Sequence, residues 1–413
     1  MIRTPWILGT IWVFSFLACG DKEEGASAPV RIPTYHEDVA PILAEHCASC
    51  HEEGGIAPFT LVDYDDARRT AEAIRISTTS RSMPPFVLDN SGECNTYVEG
   101  RWLTDAQIET LAAWARAGAP EGEPPKDGPP AARSLAKLER VDLTVDMKDT
   151  YTPEATKFDD YRCFVLDPGL TEDVFITGFH VRPGAVAMLH HLTLFSIDTK
   201  ESEAAAEARD AAEPGFGYSC IDDIHVPDTR WLVGSGPGSG ALRFPEGTGL
   251  RMHAGRKTIL QIHYNQENGR HTDRTQIDLM LAKSVPKEAF VQRIAATNLH
   301  LPPRQPSVDQ TQTEIVPEDV TLWGLWPHMH KLGTGLEVTA SRGGGQQTCL
   351  ARVSNWDFHW QGFAHYTKPL TVKQGDEMRI TCTYDTLSRN TATTWGQGTN
   401  DEMCIAFFYM TEN

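Results

Sequence analysis

The chain of 413 residues is too long for one compact core and supplies two or three domains. Hydrophobic residues at 40% and charged residues at 23% are ordinary globular values, and a formal net charge of −19 repels phosphate, so no nucleic-acid partner is expected. With 33 Gly, 26 Pro and few long stretches of 3.6-residue apolar period, the composition favours a loop-rich, mostly β protein.

Residues 1–19 read as an export address. Arg3 is a short basic start, and Trp6 to Leu17 form an apolar run too short to span a membrane comfortably. Phe16-Leu17-Ala18-Cys19 resembles the lipobox of bacterial lipoproteins. Cleavage there leaves Cys19 lipidated, on a polar tether of residues 20–33, and several acyl chains anchor it to the membrane of the bacterial cell envelope. An ordinary secretory signal is the alternative. Either way the remaining cysteines meet an oxidising compartment.

Residues 34–120 read as a compact helical segment. Val39, Ile42, Leu43 and His46 at helical spacing lead into Cys47. Thr104 and Gln107 make a capping box, Ile108, Leu111, Ala112 and Ala115 form one stripe, and Gly118 and Pro120 end the helix. Cys47-Ala48-Ser49-Cys50-His51 is C-x-x-C-H: two thiols spaced to reach two vinyl groups of a porphyrin, then an imidazole for the iron. A zinc half-site is the rival, but a second ligand pair is missing nearby and only Cys94 is on offer. Met83, before Pro84 and Pro85 on a stiff loop, suits the sixth iron ligand; core packing is its other reading. The segment resembles the small class I cytochromes c, which implies an all-α domain with one covalent haem c.

Residues 121–138, rich in Pro, Gly and charge, are a semi-rigid linker. Beyond it, short alternating runs such as Leu192 to Ile197, Ile259 to Tyr264 and Met378 to Tyr384 are broken by turn residues, the texture of β-sandwiches. They divide into a first sandwich over 139–295 and a second over 296–413. Lys200 to Ala212, acidic and Ala-rich, is a helical or mobile insertion.

Three histidine groups stand out: His190-His191, His263 in Leu260-Gln261-Ile262-His263-Tyr264, and His328-Met329-His330. An H-x-H pair on a strand puts two imidazoles on one face, a good metal pair, although such pairs also occur as plain surface or core histidines. Together, Met188-Leu189-His190-His191-Leu192-Thr193-Leu194-Phe195, the His263 string, His328-Met329-His330-Lys331-Leu332-Gly333 and Asp401-Glu402-Met403-Cys404 resemble the copper type II, ascorbate-dependent monooxygenase family in order and spacing. The resemblance implies two all-β jelly-roll copper domains after the helical one. It implies one copper on His190, His191 and His263 and a second on His328, His330 and Met403, the latter with the catalytic role. Three imidazoles suit an electron-transfer copper, and a thioether beside two imidazoles favours Cu(I). It further implies O2, a small organic substrate and a reductant or redox partner protein, with the two coppers facing each other across an open, water-filled cleft. Bridges Cys163–Cys220 and Cys382–Cys404 follow from the same match.

Two cysteines, Cys94 and Cys349, are left over; one bridge between them accounts for both, and burial of each as a thiol in its own core is the alternative. Peptide-hydroxylating members of the family clamp a carboxylate with an Arg where this chain has Trp326, and polar Asn and Tyr positions are Ile405 and Phe407 here. An unpaired carboxylate against that surface would be costly, so an apolar or aromatic substrate is expected. The rival to an enzyme is a copper-binding or electron-relaying surface lipoprotein.

Overall fold

Alternation of apolar and polar residues writes the second half of the chain. In Glu377–Tyr384, Met378, Ile380, Cys382 and Tyr384 are buried while the residues between them face outward. The computed structural model describes Met1 and residues 31–413, apart from positions 54, 56, 99, 134 and 222. The expected signal segment, the lipidation position Cys19 and most of the tether lie outside the described residues.

The described chain is mostly β-sheet. A five-stranded sheet (Tyr218–Ser219, Asp159–Leu166, Thr258–Asn265, Leu189–Ile197, Thr229–Ser235) packs on one half of a nine-stranded sheet. A four-stranded sheet (Val308–Ile315, Glu377–Tyr384, Gly333–Ser341, Thr348–Val353) packs on its other half. The long sheet is continuous between the two sandwiches. Lys287–Ala295, the strand before the expected boundary at 295, pairs in parallel with Thr248–Met252 on one side and antiparallel with Ile405–Glu412 on the other. Tyr409, on a strand of the second sandwich, is buried in the core of the first. The sandwiches therefore share backbone hydrogen bonds and a core residue, which holds their inner faces in a set relation.

The N-terminal part is small and helical. A π-helical turn (Tyr35–Val39) precedes α1 (Ala40–His46), α2 (Tyr64–Arg69), α3 (Ala71–Thr79) and α4 (Asp105–Arg116). They enclose their own core, with Val39, Leu43, Ile74, Leu111 and Trp114 inside. The capping box of α4 forms: Thr104 Oγ1 accepts from Gln107 N–H at 3.2 Å, and Gln107 Oε1 accepts from Thr104 N–H at 2.9 Å. The acidic insertion is helix α5 (Lys200–Ala212), capped by Thr199, with Ser202 and Ala206 turned inward.

The chain after Met83 leaves this helical core and enters the second sandwich. Leu88 and Tyr97 are 1% and 3% exposed within that sandwich's core, an apolar burial of roughly 1.5–3 kcal/mol each. Leu88 bridges Val353, Tyr97 bridges Tyr366, and Asn95 donates to the carbonyls of Cys349 and Leu350. Cys94 and Cys349 form a disulfide with Cα atoms 5.4 Å apart, so the leftover cysteines do pair. Cys163–Cys220 and Cys382–Cys404 form as well. The linker is exposed along residues 121–133, as its composition implies, yet both ends are held: His36 N–H donates to Glu121 O at 3.1 Å at its start, and Arg133 N–H donates to Ala44 O and Ala241 N–H to Ala136 O near its end, each at 2.9 Å.

Replacing Cys94 and Cys349 together by serine should lower the thermal midpoint by several degrees, the consequence of losing a cross-link worth about 2–4 kcal/mol. Calorimetry of the double variant checks this; an unchanged midpoint would mean that the surrounding hydrogen bonds alone hold the segment.

Candidate metal centre

Consecutive strand residues point to opposite faces, so His190 and His191 could not share a site on a regular strand. A register irregularity between Leu189 and His191 re-aims them. His191 then sits opposite His263 on the neighbouring strand. The three rings lie with centroids 4.9–5.2 Å apart, and their ligand atoms fall within 4.8 Å of one another. Among the described residues they are the sole group of three or more His, Cys, Asp or Glu donors that converge in this way.

Hydrogen bonds set which ring nitrogen is free. His263 Nε2–H donates to Asp159 Oδ1 at 2.9 Å, and its Nδ1 is buried without a partner. A lone pair left unpaired in the interior is costly unless something binds it. His190 Nε2–H donates to Phe358 O at 3.1 Å, leaving its Nδ1 3.1 Å from His191 Nδ1. Burial and the neighbouring imidazoles hold His190 and His191 well below the ordinary histidine range. Burial also lowers His263, against the pull of Asp159. Burial alone would raise the Asp159 carboxyl, but hydrogen bonds from His263 and Thr399 outweigh it and keep the group ionised.

The second cluster is built at a strand end. His328 closes Val320–His328 and His330 lies just beyond, their rings 5.2 Å apart and nearly perpendicular. His328 Nδ1–H donates to Gln361 Oε1 at 2.5 Å and His330 Nδ1–H to Asp401 O at 3.0 Å, so both Nε2 atoms remain for a ligand. Burial lowers the two rings to about 4 and about 3. Glu402, pushed up by burial to about 7, accepts the backbone N–H groups of His330, Leu332 and Met403. Met403, 3% exposed, thus stands in the turn that holds His330, locked by Cys404 and by Tyr384 Oη–H donating to Met403 O. A thioether and two imidazoles are a soft donor set that suits cuprous copper.

The two clusters do not face each other across an open cleft, as the resemblance implied. His191 and His328 ring centroids are 5.6 Å apart, and Phe358 of the second sandwich stacks on His190 at 4.2 Å. The shared sheet and the hydrogen bonds between sandwiches close the gap. Asp159, Gln361, the Phe358 carbonyl and Glu402 were not given roles from sequence. Glu402 belongs to the D-E-M-C string; the other three carry no local signature.

Beside His328 the wall is apolar. Trp326 lies opposite Phe407 and His328 opposite Ile405 across the Ile405–Glu412 strand, so all four side chains share one face. Phe407 stacks on Trp231 at 6.2 Å, and Trp231 meets Trp326 at 6.1 Å. Trp326 is 4% exposed and its Nε1–H has no partner. Gly234 is needed here, because a Cβ on it would collide with the Trp326 ring.

In the helical part Cys47 and Cys50 are unbonded, and His51 Nδ1–H donates to Phe59 O at 2.9 Å, freeing Nε2. The thiols and His51 do not converge as one donor group, and Cys94 is spent in its bridge, so the zinc alternative loses its ligands. Burial raises the Cys47 thiol to about 12. Met83, half-buried, follows α3 with its N–H donating to Ser77 O, and no hydrogen bond ties it to His51.

Such a pair of imidazole clusters at the junction of two β-sandwiches makes two candidate metal sites. Residues 304–412 match the C-terminal domain of copper type II ascorbate-dependent monooxygenase. The chain is 25% identical over 320 residues to tyramine beta-hydroxylase of Caenorhabditis briggsae, covering 70% of this chain and 52% of that protein. It is 27% identical over 252 residues to dopamine beta-hydroxylase of Rattus norvegicus, covering 55% and 39%. Against peptidyl-glycine alpha-amidating monooxygenase of Mus musculus it is 25% identical over 291 residues, covering 67% and 28%. The chain thus spans about half the length of these relatives or less. Over these stretches the chain is similar to copper type II, ascorbate-dependent monooxygenases.

Two outcomes follow from the ring hydrogen bonds. Asp159→Asn should weaken copper binding to the His190–His191–His263 cluster by about 10–100-fold, the usual effect of removing a carboxylate behind a ligating imidazole; competition with a chelator measures it. The metal-free chain should lose stability as pH falls from about 6.5 towards 4. The folded pKa of His328 and His330 lies below the unfolded value, so the unfolded state binds protons first on acidification. Glu402 works the opposite way between 4.5 and about 7, but a single carboxyl is outnumbered by His190, His191, His328 and His330, all lowered. Chemical denaturation across that window reads the sign.

Proposed function

We propose that this chain is a copper-dependent monooxygenase that hydroxylates an apolar or aromatic organic substrate with O2, and that a c-type haem in its helical part supplies electrons. One observation carries it: His263, His328 and His330 each commit one ring nitrogen to an acceptor and keep the other free, while His190 gives Nε2–H to Phe358 O and turns Nδ1 to His191 Nδ1, in two clusters that meet. His190, His191 and His263 would hold one copper and His328, His330 and Met403 the other. Bound copper supplies one-electron chemistry and O2 activation. The chain's own groups do the rest. Asp159, Phe358 O, Gln361 and Asp401 O orient the rings. Trp326, Phe407, Ile405 and Trp231 keep water from the second cluster and favour a substrate without charge, since a carboxylate there would find no partner.

The helical part fits a covalent haem: two free thiols at C-x-x-C spacing, and His51 held by Phe59 O so that Nε2 faces away from its hydrogen bond. Cys47, Cys50, His51 and Met83 would hold it, and it supplies a one-electron store. Three disulfides support export to an oxidising compartment, where lipidation at Cys19 would anchor the chain to the bacterial envelope and a reductant or redox protein would feed it.

The test loads the protein with copper and supplies reductant, ¹⁸O2 and a panel of alkyl-substituted aromatic compounds. Products gaining one ¹⁸O atom are expected, lost in His328→Ala and in Met403→Ala with the disulfides intact. Reductant-driven O2 consumption with no labelled product from any compound, or full activity in Met403→Ala, would sink the reading.

A further inference from the structure

We propose that the turn Phe358–Gln361 is the electron relay from the Cys47–His51 motif to both histidine clusters, with Trp360 as its entry point; this rests on the haem attachment read above. The turn touches both clusters at once. Phe358 O accepts from His190 Nε2–H at 3.1 Å and from Gln361 Nε2–H at 2.9 Å, while Gln361 Oε1 accepts from His328 Nδ1–H at 2.5 Å. An unbroken chain of hydrogen bonds thus runs from His190 to His328 through two residues of the turn, Phe358 and Gln361.

Trp360, inside the turn, lies towards the helical part. Arg101 Nη1–H donates to Cys50 Sγ at 3.5 Å and Nη2–H to Gly238 O at 3.3 Å. A Cβ on Gly238 would lie 3.2 Å from the Trp360 ring, so Gly238 and the indole are in close approach. Trp360 also walls two cavities. One, of about 170 Å³, is lined by Ser49 of the C-x-x-C-H motif, Arg101 and Gln361. The other, of about 530 Å³, is lined by Gly55, just past the motif, and by His190. The same indole thus lines one cavity beside the C-x-x-C-H motif and another beside His190. Trp360 is partly exposed and directly precedes Gln361, which holds His328.

Each transfer moves one electron from ferrous iron to a cupric ion, oxidising the one and reducing the other. No bond is made or broken and no proton moves, and a one-electron donor protein outside the chain restores the iron. The disulfide Cys94–Cys349 fixes the separation, so the event is intramolecular.

The experiment uses the full chain loaded with haem and copper. A photo-excited flavin reduces it anaerobically, and the haem visible band is followed beside the cupric EPR signal. In the parent, the ferrous band decays at a rate independent of protein concentration, and the cupric signal falls with it. Trp360→Leu slows that decay by about tenfold or more, whereas Trp360→Phe, which keeps an aromatic ring, stays within about threefold of the parent. Covalent haem by the pyridine haemochrome assay, and copper by metal analysis, are unchanged in both. Equal decay in Trp360→Leu and the parent, or a rate that scales with concentration, overturns the relay and leaves the haem reading standing. A parent chain without covalent haem overturns both, while ¹⁸O incorporation with a chemical reductant still judges the copper chemistry separately.

Discussion

A buried imidazole that is to offer one nitrogen to a metal must give the hydrogen on its other nitrogen to an acceptor, or the desolvated N–H costs about 1–3 kcal/mol. In this chain two of those acceptors join the sandwiches. His190 gives its hydrogen to a carbonyl of the second sandwich, and Asp159, which takes the hydrogen of His263, also accepts from the backbone and hydroxyl of Thr399. Satisfying the first cluster therefore requires the second sandwich in place. Tyr161, stacked on His263 at 4.1 Å, donates to Gln397 O and adds to the same contact. The continuous sheet supplies the coarse alignment and these side-chain bonds the fine one, so the clusters meet without any element dedicated to pulling them together.

The helical part is held by the same economy of means. Its own core is small, and a domain of this size has little stability to spare. Its loop 86–98 instead lends Leu88 and Tyr97 to the core of the second sandwich, and Arg101 reaches the first. The part is thus tied to both halves of the copper-binding body. Asn355 donating to Arg81 O, at 3.5 Å, is a further tie near the Met83 turn. A redox group attached at Cys47 and Cys50 would have no freedom to swing, which suits short, repeated one-electron events better than diffusive encounter.

Much of this was legible in the residues. The capping box of α4 is a local rule obeyed locally, and the pairing of Cys94 with Cys349 was one of two readings left once the family resemblance had assigned the other four cysteines. The histidines declared themselves by type, yet how adjacent His190 and His191 share a site did not, because it depends on a register shift that no residue type marks. Phe358 contributes through a carbonyl, an atom every residue has, and Gln361 lies 33 positions from the ring it holds. The closed meeting of the clusters was misjudged for the same reason: it arises from a sheet that runs through both sandwiches, and strand order between distant segments has no pattern along the chain. Composition read the linker correctly as exposed, but its ends dock through backbone hydrogen bonds at Arg133 and Ala136 that composition cannot reveal.

The apolar wall beside His328 has a consequence for selectivity. Where a site is built to pair a charge or hydroxyl, an analogue lacking that group is rejected steeply, because the buried partner is left unsatisfied; a hydrophobic surface discriminates a methylene by only about 10–200-fold. Trp326, Phe407 and Ile405 offer almost no polar handle, the exception being the unpaired Trp326 Nε1–H. For the proposed substrate, orientation would then come from ring-against-ring packing, worth ~0.5–1.5 kcal/mol per pair beyond area burial. A substrate held that way would be selected by shape, and homologues that differ in length would be tolerated. Under the proposed function the chemistry would thus be set by the histidine clusters, and the choice of substrate by the apolar wall beside His328.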